Sequence, residues 1–147
     1  MHIFTVSLFG HRTIEDPWQL EERLTAILKE LLMTKPYVSF LIGRNGEFDE
    51  QAASIIKRLQ KDVGKEKCDI TLVLPYTVAK LEYYEKYYDA ILIPACMHGA
   101  HPKSAITLKN KWMVENADLV IVFAKHKGGA FTAMQYAEKQ NKLIVRI

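Results

Sequence analysis

Six short runs rich in Val, Ile, Leu or Phe recur along the chain, at positions 3–8, 37–42, 69–74, 90–94, 118–123 and 142–147. Most are apolar on both faces, which is how strands buried in a parallel sheet read. Between them the apolar positions change to helical spacing: Leu20, Leu24, Ile27, Leu28 and Leu31, then Phe48, Ala52, Ile55, Ile56 and Leu59. Asp16-Pro17 supplies an N-cap and a first-turn proline for the first of these helices. Shorter helices are predicted over 78–87, over 104–115 and over 130–140. In the second of them Ser104 is the expected cap, with Leu108, Trp112 and Glu115 on successive turns. Strands alternating with helices, without a linker, repeat or low-complexity stretch, predict a single α/β domain over 1–147. Its sheet should be mainly parallel, with about six strands and with right-handed crossovers placing helices on both faces.

The unusual residues fall directly after the strands. Gly10-His11-Arg12 follows the first, Gly43 to Asp49 the second, Pro75-Tyr76 the third, Pro94 to Pro102 the fourth and Lys125 to Gly129 the fifth. In an open parallel sheet these loops share the carboxyl edge, where ligands bind at the switch in strand order. Gly128-Gly129 opens the last helix, so backbone N–H groups can approach an anion there. The helix start adds about half an elementary positive charge. Gly43 and Gly46 would permit close approach to a ribose or phosphate, with Asp49 accepting from hydroxyls, or would simply form a βα turn in which Asp49 serves the helix start. Arg44 and Asn45 between them are expected to point into the same crevice. Arg12 could meet a phosphate bidentately and His11 a base or ribose, or both could be surface and packing residues.

Composition narrows the partners. Hydrophobic residues make up 49% of the 147 positions and charged residues 25%, ordinary values for a globular chain. A net charge of +3 tolerates an anionic ligand but falls short of the basic surface of a dedicated nucleic-acid binder. No apolar run approaches the roughly 20 residues that cross a bilayer, the start of the chain does not read as a secretory signal, and Cys68 and Cys96 form no disulfide framework, so a cytoplasmic protein without membrane contact is expected. Cys96, His98 and His101 have a zinc-like look, but no second ligand cluster completes a site; the segment reads as a loop covering a substrate, and no metal is expected. Tyr83, Tyr84, Tyr87 and Tyr88 could stack bases, but at helical spacing Leu81, Tyr84 and Tyr88 supply a packed face, at a surface suited to a homo-oligomer. No nucleophile elbow, Walker A loop, His-Glu-x-x-His helix or Gly-x-Gly-x-x-Gly occurs.

An ordered set of motifs spans nearly the whole chain. It comprises Ser7-Leu8-Phe9-Gly10-His11-Arg12, Gly43-x-x-Gly46-x-Phe48-Asp49-x-x-Ala52-Ala53, Leu74-Pro75-Tyr76, Lys109 to Asp118, and Gly128-Gly129-x-x-Thr132. Together these resemble the SLOG superfamily, and within it the YpsA-like branch of small bacterial proteins. The resemblance implies a Rossmann-like three-layer sandwich with a pocket for a nucleotide or nucleotide-derived ligand. It maps ligand contacts to Gly10, Arg12, Gly43, Gly46, Asp49, Asn110, Gly128, Gly129 and Thr132. Related families include the Lonely Guy phosphoribohydrolases, which cleave a base from a nucleoside monophosphate, and DNA-processing protein A, which handles single-stranded DNA. Where Lonely Guy enzymes carry Pro-Gly-Gly-x-Gly-Thr-x-x-Glu, this chain has Gly128-Gly129-x-x-Thr132 and then Gln135, without the proline, the third glycine or the acid. Gln135 has no charge with which to stabilise an oxocarbenium ion. Lys109 stands where the YpsA-like pattern usually has Arg, turning a bidentate contact into a point charge.

Three functions follow as expectations. The first is a protein that binds a nucleotide-derived ligand, to sense or sequester it, with phosphate at Gly128, Gly129 and Thr132, ribose at Gly43 to Asp49, and positive charge from Arg12 and Lys109. The second is a nucleoside-phosphate N-glycosidase or related transferase in which Asp49 or Glu47 supplies the missing carboxylate. The third, a single-stranded nucleic-acid module, would bind with an affinity that falls steeply with salt.

Overall fold

The computed structural model describes residues 2–147. Its strands are β1 (Phe4–Gly10), β2 (Val38–Ile42), β3 (Cys68–Val73), β4 (Ala90–Leu92), β5 (Leu119–Phe123) and β6 (Leu143–Arg146). Alternating with them are α1 (Pro17–Thr34), α2 (Glu47–Val63), α3 (Leu81–Tyr87), α4 (Pro102–Glu115) and α5 (Gly129–Lys139). All five strand pairings are parallel, in the order β4-β3-β2-β1-β5-β6. The chain builds outward from β1 to β4, then returns across the sheet through α4 to lay β5 on the other side of β1. The switch in strand order therefore lies between β1 and β5.

Alternation along the central strands divides the core into two layers. Val6 and Leu8 of β1 and Leu119 and Ile121 of β5 face α1 and α2, packing on Leu24, Leu28, Phe48, Ile55 and Ile56. Phe9, Val120 and Val122 face α4 and α5, against Met113, Val114, Ala130, Ala133 and Ala137. Helices on both faces of one parallel sheet make a Rossmann-like three-layer sandwich. Ser7 is buried on the α4 side and donates from Oγ to the Met113 carbonyl at 2.7 Å. That bond ties α4 to the central strand and so fixes the side chains α4 sends over the sheet edge.

Three local expectations shift. The α4 helix begins at Pro102, not Ser104, with His101 as the cap: its Nδ1 accepts from the Lys103 N–H at 3.1 Å. Proline suits the first helical position because its missing N–H would have no helical partner there. The α3 helix starts at Leu81 rather than near 78, since Lys80 takes a left-handed conformation with φ of 59°, through which a right-handed helix cannot run. Tyr88 packs against the core with Tyr87 beside it, instead of with Leu81 and Tyr84, while Tyr83 stays exposed. No helix among the described residues is long and apolar enough to cross a membrane.

Candidate functional site

The loops after β1 and β2 meet each other before they meet anything else. The Glu47 N–H donates to the Arg12 carbonyl at 2.9 Å and the Phe48 N–H to the His11 carbonyl at 3.3 Å, so the first turn of α2 spends its free donors on the β1 loop. Glu47 Oε1 accepts from the Ile14 N–H at 2.7 Å, which gives this carboxylate a structural partner. Gly46 lies against the Arg12 backbone, and Gly10 lies against the Phe48 ring, each so closely that a Cβ would collide. Two glycines expected to admit a ligand thus admit neighbouring parts of the chain. Arg44 is exposed and places its guanidinium over the Tyr84 ring, 5.4 Å from the centroid, instead of pointing into the crevice with Asn45.

Beside this junction, at the β1/β5 switch point, a cavity of about 540 Å³ opens between the β1, β2 and β5 loops and α4. Gly10, His11, Arg12, Gly43, Asn45, Asp49, Lys109, Asn110, Gly128 and Gly129 all line it. Thr132 lies in an adjoining cleft of about 280 Å³ between α4 and α5. Its hydroxyl donates to the Gly128 carbonyl at 3.0 Å, so it braces the helix start from within. Arg44, Gly46 and Glu47 line neither space. The loops after β3 and β4, including Tyr76 and Cys96, also stay outside both, and 95–97 forms one 3₁₀ turn. Convergence is therefore of three loops and a helix, not of five loops.

The α5 N-terminus opens toward this cavity. Gly128 occupies the cap position with φ of 156° and ψ of −168°, a conformation essentially restricted to glycine. No side chain caps the helix, and the first helical bond is from the Thr132 N–H to the Gly128 carbonyl. The N–H groups of Gly129, Ala130 and Phe131 precede that bond and remain for an outside acceptor. A Cβ on Gly128 or Gly129 would meet nothing within 4 Å. Here the glycine pair opens space that nothing in the protein fills.

Lys109 enters the same cavity from α4 and is only 1% exposed. No carboxylate among the described residues comes within 4.0 Å of its ammonium. Burial lowers the Lys109 amine to about 8, against a partial opposing pull from Asp49. Asp49 comes from the α2 layer and is also buried; its Oδ2 accepts from the Asn45 N–H at 2.7 Å. Burial pushes the Asp49 carboxyl up, although the Asn45 bond and Lys109 both pull the other way. Asn110 adds a buried Oδ1 with no hydrogen-bond partner, at the boundary between the two spaces. A buried acceptor without a partner is costly, and a donor on a ligand would satisfy it.

His11 holds the β5 loop in place. Its Nε2 accepts from the Lys125 N–H at 2.7 Å, so that nitrogen is unprotonated and the neutral ring carries its proton on Nδ1. Burial, then the neighbouring His126 and Lys125, lower its pKa, in keeping with a neutral ring. His126 stacks on it with centroids 3.8 Å apart and planes 4° from parallel. His126 lines the cavity as well, a site residue the sequence reading passed over although it lies within the Lys125 to Gly129 loop.

Arranged together, these groups can hold an anion at the α5 start, balance its charge with Lys109 and Arg12, and offer one carboxyl, Asp49, for proton transfer. No protein-family model matches the chain, and no curated protein matches it in sequence.

Proposed function

We propose that this chain is a SLOG-type protein that binds a nucleotide or nucleotide derivative in the cytoplasm, with a ligand phosphate at the N-terminus of α5. The observation that carries this reading is the coincidence of two unsatisfied features in one cavity. An uncapped helix start and a buried ammonium with no carboxylate within 4.0 Å both face the same space. Each is unfavourable alone, and a bound phosphate would relieve both. Asn45, Asp49 and Asn110 then stand where hydroxyl and amide groups of a sugar or base would be read. The free thiols of Cys68 and Cys96 fit a reducing compartment.

Gly129→Asp tests the phosphate assignment. A side chain there meets open space, so the fold should survive, while a carboxylate now faces the anion. Affinity for a nucleoside monophosphate, measured by calorimetry, is expected to fall about 100-fold or more, the weight of losing helix-terminus contacts and gaining a like charge. Unchanged affinity would remove the assignment.

Asp49 favours a second reading, cleavage of the N-glycosidic bond of the same ligand. It is a buried carboxyl lining the cavity, and burial pushes its pKa up, the direction that favours proton transfer to a departing base. Under that reading, chromatography detects base release from one of a panel of nucleoside monophosphates, and Asp49→Asn abolishes it. No release across the panel leaves binding as the function.

A further inference from the structure

Over Gly43, at the end of β2, a side chain from each helical layer arrives at one point. A Cβ on residue 43 would stand 2.7 Å from Lys109 Nζ and 3.3 Å from Asp49 Oδ2. The two charged groups are therefore no farther apart than the sum of those distances, yet they do not come within the 4.0 Å of an ion pair. A side chain at 43 would collide with the Lys109 ammonium, so glycine is what lets the amine and the acid line one cavity side by side, within reach of the same carbonyl group of a ligand. An amine and an acid that line one cavity without an ion pair between them are the two groups a condensation needs.

We propose that this cavity captures phosphorylated aldehydes covalently: the Lys109 amine forms an imine with the aldehyde carbon of a ligand, such as an open-chain aldose phosphate, whose phosphate rests at the start of α5. This inference rests on the anion site described above and adds a reaction to it. The neutral amine attacks the carbonyl carbon, and the C–O π electrons move to the oxygen, which takes a proton from the Asp49 carboxyl. The nitrogen of the resulting adduct returns a proton to Asp49. Asp49 then protonates the hydroxyl, which leaves as water while the nitrogen lone pair forms the C=N bond. The nitrogen's remaining proton goes back to Asp49 and leaves a neutral imine. One amine and one aldehyde give one imine and one water, with no change in oxidation level. Burial supports both partners, since it lowers the Lys109 amine to about 8 and pushes the Asp49 carboxyl up. Both shifts run in the direction that favours a neutral amine beside a protonated carboxyl.

The intact protein is incubated with glyceraldehyde 3-phosphate or ribose 5-phosphate and sodium cyanoborohydride, and the reduced adduct is located by peptide mapping. The expected result is one dominant adduct on Lys109, formed about tenfold less with the unphosphorylated sugars, because these lose the helix-terminus contact. Inorganic phosphate should compete with it. Asp49→Asn is expected to slow trapping by about 100-fold, the usual weight of a positioned acid. Lys109→Arg, which keeps the positive charge, should give none at that site. Mapping the wild-type chain identifies the lysine whether or not a variant folds. Adducts spread over exposed lysines with Lys109 unmodified, or Lys109 labelling indifferent to the phosphate, would overturn the proposal. Calorimetry with inorganic phosphate on the same sample separates the two claims. Phosphate binding without trapping removes the imine alone, and neither binding nor trapping removes both.

Discussion

Replacing Lys109 by Met is expected to make the protein more stable and unable to bind its anionic ligand. Lys109 is 1% exposed and its ammonium has no carboxylate within 4.0 Å, so the folded state bears a poorly solvated charge. Its amine falls from 10.5 to about 8 on burial, which corresponds to a cost on the order of 3 kcal/mol while the group is charged. Methionine fills similar volume without that cost. Removing the ammonium also removes a positive charge from beside Asp49, which limits the gain to about 1–3 kcal/mol at pH 7. The sign of the pH dependence follows. Below about 8 both folded and unfolded chains carry the Lys109 proton and the cost is complete. Between about 8 and 10.5 the unfolded chain holds more of that proton, so wild-type stability gains on the variant as pH rises. Urea unfolding of both proteins at pH 7 and pH 10 measures the difference. Nucleoside monophosphate binding should vanish in the variant at either pH. A destabilised variant would mean that Lys109 has a structural partner, and a stabilised variant that still binds would mean that its charge serves no ligand.

Gly10→Ala should destabilise the fold by about 1–3 kcal/mol, because its new methyl group would fall on the buried Phe48 ring. Phe48→Ala alone should cost about 3–5 kcal/mol by leaving a cavity under the α2 start. Combined, the two should cost clearly less than their sum, since the small side chain at 48 makes room for the methyl at 10. A double-mutant cycle by chemical unfolding reads that coupling. Strict additivity would contradict the role given to Gly10 as the bed for Phe48. The distinction matters for the site: Gly10 sets where the β1 loop meets α2, and so where Arg12 and His11 begin.

Strand and helix positions were legible because β1, β2, β3 and β5 are mostly apolar, β5 without a break, and α1 and α2 carry long helical stripes. Strand order was not, as periodicity says which face is buried but nothing about which strand lies alongside. That gap explains the error over the five loops. All are on one edge of a parallel sheet, yet β4 lies four strands from β5, roughly 19 Å at the usual strand spacing, and its loop cannot reach the cavity.

Glycines were equally ambiguous, because a missing Cβ reads alike whether it admits a ligand or another segment. Gly10 and Gly46 admit chain, whereas Gly128 and Gly129 leave open space. The inner stripe of α4 was hidden for a different reason. Ala105, Lys109 and Met113 face inward, one position on from the Leu108 and Trp112 that hydrophobicity selects. A lysine does not announce its burial, and here the departure from the apolar pattern coincides with the cavity.

The central claim, a phosphate held by the α5 N-terminus, is tested most directly by following backbone amide resonances while a nucleoside 5′-monophosphate is titrated into labelled protein. The largest saturable shifts are expected at Gly129, Ala130 and Phe131, whose N–H groups precede the first helical bond, and far smaller ones with the nucleoside lacking phosphate. Shifts centred instead on Glu47 and Phe48, or equal responses with and without the phosphate, would contradict it.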